Sequence, residues 1–580
     1  KIDVLGFDEY VSYLELRSAI GNPYSNSLLN SIYENYGTPE QSMTGEVRNW
    51  QNQYLGNSLR QRYYFSASGN NKIYYNASVG YNKSDGIVQN TSSEQITARL
   101  NLSAKLTKKL RLESKVNFAY IRSRMMQGAG SGDQGVSSSF IKSLVIYRPW
   151  VSIEEKENEK YEDESDLSIS SPTKWVNDSY QTRNETRVTP NISLTYNIAR
   201  WINFKSSAGI DYHMQEMAKY KGPTVSKSPA SGSVQYSEFY NLNWDNTLNA
   251  KKKFKKHNID AMLGFSIGQN CKNTSYVFSD DITQYGMGTD NLDSSPSAKF
   301  TYSEVNESKM SFFARAIYNY ADRYVITGTY RVDGSSRFAP KNRFSSFPSL
   351  AAAWRVNKER WFKAPVISML KLRAGWGLVG NCSVKPYQYM STYGHAYEGY
   401  HFNDAGYITT LGPNVLTNED LKWETTDQWN VGLDFGMWDG RLTVVADAYY
   451  KNTYDLLQSR IVTYNSGFSN MYVNQGSILN KGVEITLETV PVSIRGFEWK
   501  LSGNISFNRN TLTDLGYEGN ADDFYFTPGV KTQQRYYTGA NIGSGGYHSE
   551  QPVNIYMQGQ PIGLFYGYKT DGLVQEGEYG

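Results

Sequence analysis

Cysteine is almost missing from this chain: of 580 residues, only Cys271 and Cys382 carry a thiol. Two thiols so far apart build neither a disulfide framework nor a cysteine-based zinc site, and both read as incidental. Histidine is scarce too, at positions 213, 257, 395, 401 and 548, with no HExxH pattern and no acidic partner at ligand spacing. A zinc hydrolase is therefore disfavoured, and no metal or cofactor is assigned. No run of 18 apolar residues exists, and the longest stretches, such as Leu350 to Trp354, cover about one strand. That excludes a membrane-spanning helix. Net charge is also lacking: 59 Lys and Arg against 56 Asp and Glu leave +3, with no excess for phosphate neutralisation, so nucleic acid is disfavoured as a partner. No pair of carboxylates stands in a convincing glycosidase setting, and the chain reads as a non-enzyme.

What is abundant is aromatic and small. The chain holds 47 Tyr, 24 Phe, 12 Trp and 49 Gly, at only 39% hydrophobic residues and a mean hydropathy of -0.58. Aromatic and β-branched side chains fill pleated surfaces while Gly and Asn supply turns, so the composition points to an all-β protein and excludes a helical bundle. At roughly 150 residues per domain the length would allow three or four domains, but large barrels run longer as one unit.

Alternation dominates residues 61–509. From Thr97 to Leu106 the even positions Ala98, Leu100, Leu102, Ala104 and Leu106 are apolar and the odd ones polar. After a turn at Thr107, Lys108 and Lys109, one apolar face resumes with Leu110, Leu112, Val116, Phe118 and Tyr120. This predicts a hairpin with one greasy side. The unit recurs across Ile192–Tyr212, and again at Trp429–Ala448 around an Asp439-Gly440 turn, a strong hairpin signal. Short connections fall near 69–71, 107–109, 199–201, 251–256, 321–323, 357–367, 438–440 and 491–496. Eight of them predict about sixteen strands, each about 9 to 16 residues long.

Longer polar segments separate these hairpins: 83–93, 125–184, 213–236, 272–306, 333–346, 380–420 and 452–478. Strict alternation of long and short connections predicts an up-and-down sheet with all long loops at one end, the asymmetry of a large antiparallel transmembrane β-barrel of the outer-membrane type. Low hydropathy fits, because only the lipid face needs to be apolar and the interior can be wet. Most of Tyr63, Tyr64, Tyr74, Tyr75, Tyr318, Tyr320, Tyr324, Tyr449 and Tyr450 are expected to form an aromatic girdle. Residues 1–60 have the spacing of short helices, and residues 511–580 are rich in Gly and Tyr without a clean closing hairpin. A free barrel edge would expose backbone groups to lipid, so the chain is expected to be part of a larger barrel.

Other chemistry is weakly signalled. Gly128 to Gly132 reads as a loop rather than a phosphate cradle, since no Lys-Ser/Thr pair follows. The acidic run from Glu154 to Asp166 and the group Asp280, Asp281, Asp290 and Asp293 lack EF-hand spacing and read as solvated loops. In the outer segment 380–420, Tyr387, Tyr389, Tyr393, His395, Tyr397 and Tyr400 are candidate substrate contacts: flat rings stack on sugars or peptide side chains, and phenols hydrogen-bond them. Packing of the loop against its neighbours or a partner protein is the alternative.

Several stretches carry a family resemblance. The sharpest spans Phe312 to Gly380, with "FFARAIYNYADRYVITGTYRVDGSSRFAPKNRFSSFPSLAAAWRVNKERWF" and then "LKLRAGWGLVGN". Others are "NEDLKWETTDQWNVGLDFGMWDGRLTVVADAYYKNTYDLL", "VNQGSILNKGVEITLE" and "GQPIGLFYGYKTDGLVQ". In this order and spacing the chain resembles, from about its first residue to its last, the SusC/RagA group of TonB-linked outer-membrane proteins of Bacteroidota.

The resemblance implies a 22-stranded barrel, of which 16 to 18 strands are expected here. It implies an N-terminal plug, a SusD-like surface lipoprotein, and energy from the TonB-ExbB-ExbD complex. The expected activity is import of glycans, with peptides as the alternative cargo. "KIDVLGFDEYVSYL" looks like the stretch after the plug; no TonB box, plug or final strands are found in the sequence. The expected division is 1–60 leading from the plug, 61–510 for barrel strands and long loops, and 511–580 for a loop region and an incomplete part of the barrel. A passive porin or adhesin barrel and a soluble all-β glycan-binding or hydrolytic protein are the rival readings; the latter would not keep the alternation of connections.

Overall fold

The computed structural model describes residues 1–36, 46–47, 49–126, 140–147, 150–151, 170–226, 229–395, 400–401, 407–408, 411–413, 415–462, 464–468, 470–516, 535–542 and 551–565. The Gly128 to Gly132 loop and the Glu154 to Asp166 run lie outside these residues. Contacts divide the chain into two units. One comprises Lys1–Leu194, Ala208–Leu242 and Asn270–Asn306, the other Thr195–Ser207, Asn243–Gln269 and Glu307–Gly580.

Sixteen strands form one sheet in sequence order. They are β1 (Arg60–Asn70), β2 (Ile73–Asp85), β3 (Ser92–Lys105), β4 (Leu110–Met125), β5 (Ser179–Ala199), β6 (Ile202–Lys221), β7 (Ala230–Phe254) and β8 (His257–Ile282). They continue as β9 (Lys299–Tyr320), β10 (Tyr324–Ser335), β11 (Phe344–Arg355), β12 (Ile367–Asn381), β13 (Glu424–Met437), β14 (Leu442–Tyr454), β15 (Ser477–Ile494) and β16 (Phe497–Asp514). The sixteen strands and all eight short connections expected from periodicity are present. No helix among the described residues is long and apolar enough to cross a membrane.

Register puts the apolar residues on one face. Leu100 stands opposite Ala77 and Val116, and Leu372 opposite Trp354 and Leu433. Ala446 stands opposite Leu433 and Ile485. Many of these side chains are exposed, among them Leu350, Val431, Leu487 and Phe507. A contiguous exposed apolar band is what a hydrocarbon environment requires and water does not tolerate.

Three expectations are corrected. First, segments 213–236 and 272–306 are not wholly loops: β6 runs to Lys221, β7 starts at Ala230, β8 runs to Ile282 and β9 starts at Lys299. β8 is 26 residues long, well beyond the expected 16. On β7 the face that carries exposed Leu242, Trp244 and Leu248 continues into Glu238 and Tyr240, so the ladder outlasts the apolar band. Hydrogen bonding, not greasiness, sets strand length there.

Second, long and short connections do not alternate strictly. The 356–366 connection is longer than those at 86–91, 222–229 and 336–343. Third, the girdle cannot include both members of the adjacent pairs Tyr63/Tyr64, Tyr74/Tyr75 and Tyr449/Tyr450, because neighbours on a strand point to opposite faces. Tyr63 faces Tyr81 and Tyr75 faces Leu102 on the apolar side, whereas Tyr449 lies on the polar side and donates to Asn508 Oδ1 at 3.1 Å.

Small helices precede the sheet. α1 (Phe7–Ala19) and α2 (Pro23–Tyr36) form a hairpin through Gly21, whose φ of +85° suits glycine, and bury Val11, Leu14, Leu29 and Ile32 between them. α3 (Trp50–Tyr54) joins α4 (Phe140–Ile146) and α5 (Pro172–Asp178) in a second small core around Trp50, Phe140 and Trp175. Arg535–Ile542, Gln551–Met557 and Leu564–Phe565 form a separate three-stranded sheet.

Candidate functional site

The polar face of the sheet follows from the same alternation. Between Leu370, Leu372 and Ala374 on β12 stand Lys371 and Arg373, and the register delivers Asp434 of β13 and Asp447 of β14 beside them. Arg373 Nε donates to Asp434 Oδ1 at 2.9 Å, and its Nη1 and Nη2 donate to the two Asp447 oxygens at 2.9 and 3.0 Å. Lys371 Nζ lies 3.0 Å from the other Asp434 oxygen. Gly432 makes room: a Cβ there would sit 2.6 Å from Arg373 Cζ, so the guanidinium lies flat across the strand. A bidentate pair fixes geometry as well as charge, giving a rigid wall with both signs displayed.

Nearby on the same face, Arg331 Nε donates to both Asp333 oxygens at 2.7 and 2.8 Å and Nη2 to Ser311 at 2.9 Å. Thr329, Arg331, Asp333, Ser349, Gly375, Gly377, Gln428 and Asn430 line a concavity of about 540 Å³, floored by the small residues of β11 and β12. In the other unit Arg187 forms a bidentate pair with Asp211, and His213 Nε2 lies 3.0 Å from Glu185. Sequence reading missed these networks, although Asp434 and Asp447 already stood on the polar side of the predicted 429–448 hairpin.

At the outer ends of β10 to β15, three connections meet. Phe338, Phe347, Val384, Leu421 and Trp423 are buried together, with Leu457 and Tyr472 packed against them. Trp423 Nε1 donates to the Arg343 carbonyl at 3.0 Å, and Arg337 Nη1 donates to the Cys382 carbonyl at 3.1 Å. Arg337 Nη2 also pairs with Glu307 at 2.8 Å. Asn474 donates to Lys422 O at 2.8 Å and accepts from its amide at 2.8 Å. Lys341 donates to Asp420 at 2.6 Å, and that carboxylate raises the lysine's pKa above its usual value. The stretches "DGSSRFAPKNRF", "NEDLKWET" and "VNQGS" are thus parts of one platform.

The aromatic candidates occupy the long connection that enters this platform. Tyr387 and Tyr389 lie half-buried in a turn, with Tyr387 at φ +67°. Tyr393 and His395 belong to a three-residue strand, Tyr393–His395, that pairs with Leu411–Pro413, and Tyr393 is two-thirds exposed. Tyr400 stands in a separate two-residue pairing with Ile408, and Tyr397 lies outside the described residues. The structure puts Tyr393 and His395 on one short strand but gathers the described members of the set around no described concavity.

Known proteins share this architecture. A family model described as "TonB dependent receptor-like, beta-barrel" matches residues 161–574. TonB-dependent receptor P3 of Formosa agariphila is 27% identical, with 100% of this chain and 54% of that protein covered. TonB-dependent receptor SusC of Bacteroides thetaiotaomicron is 28% identical, with 91% of this chain and 55% of that protein covered. The solved RagAB peptide transporter superposes with a TM-score of 0.76 at 18% identity, covering 97% of this chain and 62% of that one. The chain spans about half the length of the curated relatives it matches.

Proposed function

The chain belongs to the TonB-dependent receptor-like β-barrel family, of the SusC/RagA type in the bacterial outer membrane, and on that premise we propose that it forms the barrel of an oligosaccharide importer. In this reading residues 61–510 supply the wall and outer loops, residues 1–60 lead in from a plug, and 511–580 add an outer region and further barrel. A SusD-like lipoprotein presents the glycan to the outer platform, and the TonB-ExbB-ExbD complex supplies energy through the plug. No bond is broken: cargo passes along the polar wall.

The carrying observation is the packed outer platform at one end of a sheet whose polar face carries the Arg331, Arg373, Asp434 and Asp447 hydrogen-bond networks. A sugar offers flat CH faces and many hydroxyls, which the candidate contacts Tyr387, Tyr389, Tyr393, His395, Tyr397 and Tyr400 would stack on and hydrogen-bond, and which Gln428, Asn430 and Ser349 would hydrogen-bond. Peptide is the second reading. Fixed charges of both signs at Arg331/Asp333 and Arg373/Asp434 also suit zwitterionic cargo, and RagAB, which shares the fold, is a peptide transporter.

The test extracts the full-length protein from native outer membrane in mild detergent and identifies what accompanies it by mass spectrometry. A lipoprotein with bound glycan is expected; bound peptide would move the assignment to peptide import. In cells, uptake that persists without TonB would replace the importer with a passive pore.

A further inference from the structure

The short-turn ends of the second unit carry a charge pattern that transport does not use. The six segments 199–202, 251–258, 320–324, 355–367, 437–442 and 494–497 hold 13 Lys and Arg against 3 Asp and Glu. The whole chain is only +3, so this end is basic and the remainder is net acidic. The densest stretch, Lys251, Lys252, Lys253, Lys255 and Lys256, is exposed throughout. Arg200, Lys358, Arg360, Lys363, Arg441 and Arg495 are exposed as well.

Backbone bonds join these turns into a continuous rim. The Lys251 amide donates to the Trp201 carbonyl at 2.8 Å, Ala321 to Lys256 at 2.7 Å, Arg355 to Arg323 at 2.8 Å and Trp438 to Val366 at 2.9 Å. The acids do not cancel the charge. Glu359 is engaged by Arg323 at 3.2 Å and Trp354 at 3.1 Å, Asp260 stands 3.8 Å from Lys251 alone, and Asp322 and Asp439 are single exposed groups.

A second, independent feature marks the depth of this rim. Phe254, His257, Tyr320, Tyr324, Trp354 and Trp361 form an unbroken chain of ring contacts, with neighbouring centroids 5.0–6.4 Å apart. Lys252 Nζ lies 5.3 Å from the Trp201 ring. Amphipathic rings in a row beside an apolar band mark the headgroup level of a bilayer. Clustered lysines just beyond such a row lie within reach of lipid phosphates.

We propose that the basic rim centred on Lys252, which shares the apolar face of its strand, and on Lys255 and Lys256 in the turn is a binding collar for anionic phospholipid headgroups of the leaflet at the short-turn side. The phosphates lie against the lysine ammonium groups while the girdle rings hold the acyl boundary. The collar anchors the sheet at a fixed depth against the forces that opening it entails. It rests on the outer-membrane reading but not on the cargo, so its failure leaves import untouched.

The test uses the full-length protein in detergent with phosphatidylglycerol or phosphatidylcholine as probe, read by native mass spectrometry of retained lipid. Phosphatidylglycerol is expected to be retained about tenfold over phosphatidylcholine, in a salt-sensitive way. Changing Lys252, Lys255 and Lys256 together to Gln is expected to abolish the preference, and changing all three to Arg to keep it. A heat-modifiability shift on SDS gels confirms that each variant is folded. Equal retention of both lipids, or an undiminished preference in the folded Gln variant, overturns the collar. So does a Gln variant that loses a soluble anionic polymer and not lipid.

Discussion

At the outer ends of β10 to β15, order is carried by side chains; at the opposite ends of the same strands it is carried by the backbone. The platform buries Phe338 and Leu421 completely and ties three connections together through Trp423, Arg337 and Asn474. The rim buries almost nothing, and its turns are two to four residues long except at 356–366. Ladder bonds continue straight into the turns there, so no core is needed. Long connections hold only short ladders of their own, such as Tyr393–His395 with Leu411–Pro413, and the rest of their ordering entropy is offset by packing. The end with the longest loops is therefore the end most sensitive to core mutation.

The largest effect should come from Trp423→Ala, which removes a ring packed against Phe338 and Phe347 and leaves the Arg343 carbonyl without its donor. A loss of about 3–5 kcal/mol is expected in urea unfolding from liposomes. Proteolysis should nick 382–423 first; an unchanged digestion pattern would break the contrast. Next, Gly380→Ala would place a Cβ 2.0 Å from Phe347 Cζ, overpacking the same core. About 1–3 kcal/mol should be lost, with the short turns still protected from hydrogen exchange.

At the rim, the Tyr324 hydroxyl, the Trp354 indole and Arg323 hold the Glu359 carboxyl below its ordinary range. Its stabilising contribution is present above the unfolded carboxylate pKa and disappears as pH falls through the lowered folded value. The stability gap between wild type and Glu359→Gln should therefore close on acidification. A gap independent of pH between neutral and strongly acidic conditions would show that the charge is not what holds this turn. The smallest effect belongs to Ala321→Gly. Ala321 and Asp322 both sit near φ +56°, and glycine relieves the left-handed strain at its own entropic cost. A change within about 1 kcal/mol, in the stabilising direction, should appear in the same unfolding assay.

Much of the fold was legible because alternation is a local property. Leu100 and Val116 could be assigned to one face from their own segments, and the Asp439-Gly440 turn announced itself; Trp438 and Asp439 do adopt positive φ there. Strand ends were harder. Above the apolar band β7 and β8 mix polar residues with scattered apolar ones such as Val234, Val277 and Ile282, so the period fades while the ladder goes on. The candidate ligand residues were only partly legible. Ring-rich composition drew attention to Tyr393 and His395, but nothing local tells which rings pack and which stay open.

The sequence alone determined the all-β class, the strand count, the face each strand turns to lipid and the end at which the short turns lie, because each depends on a residue and its near neighbours. Only the tertiary structure decided that Arg373 would meet Asp434 and Asp447, and that Phe338, Leu421 and Trp423 would share one core. Those meetings depend on register across separate strands, and register is set by the whole ladder rather than by any segment within it.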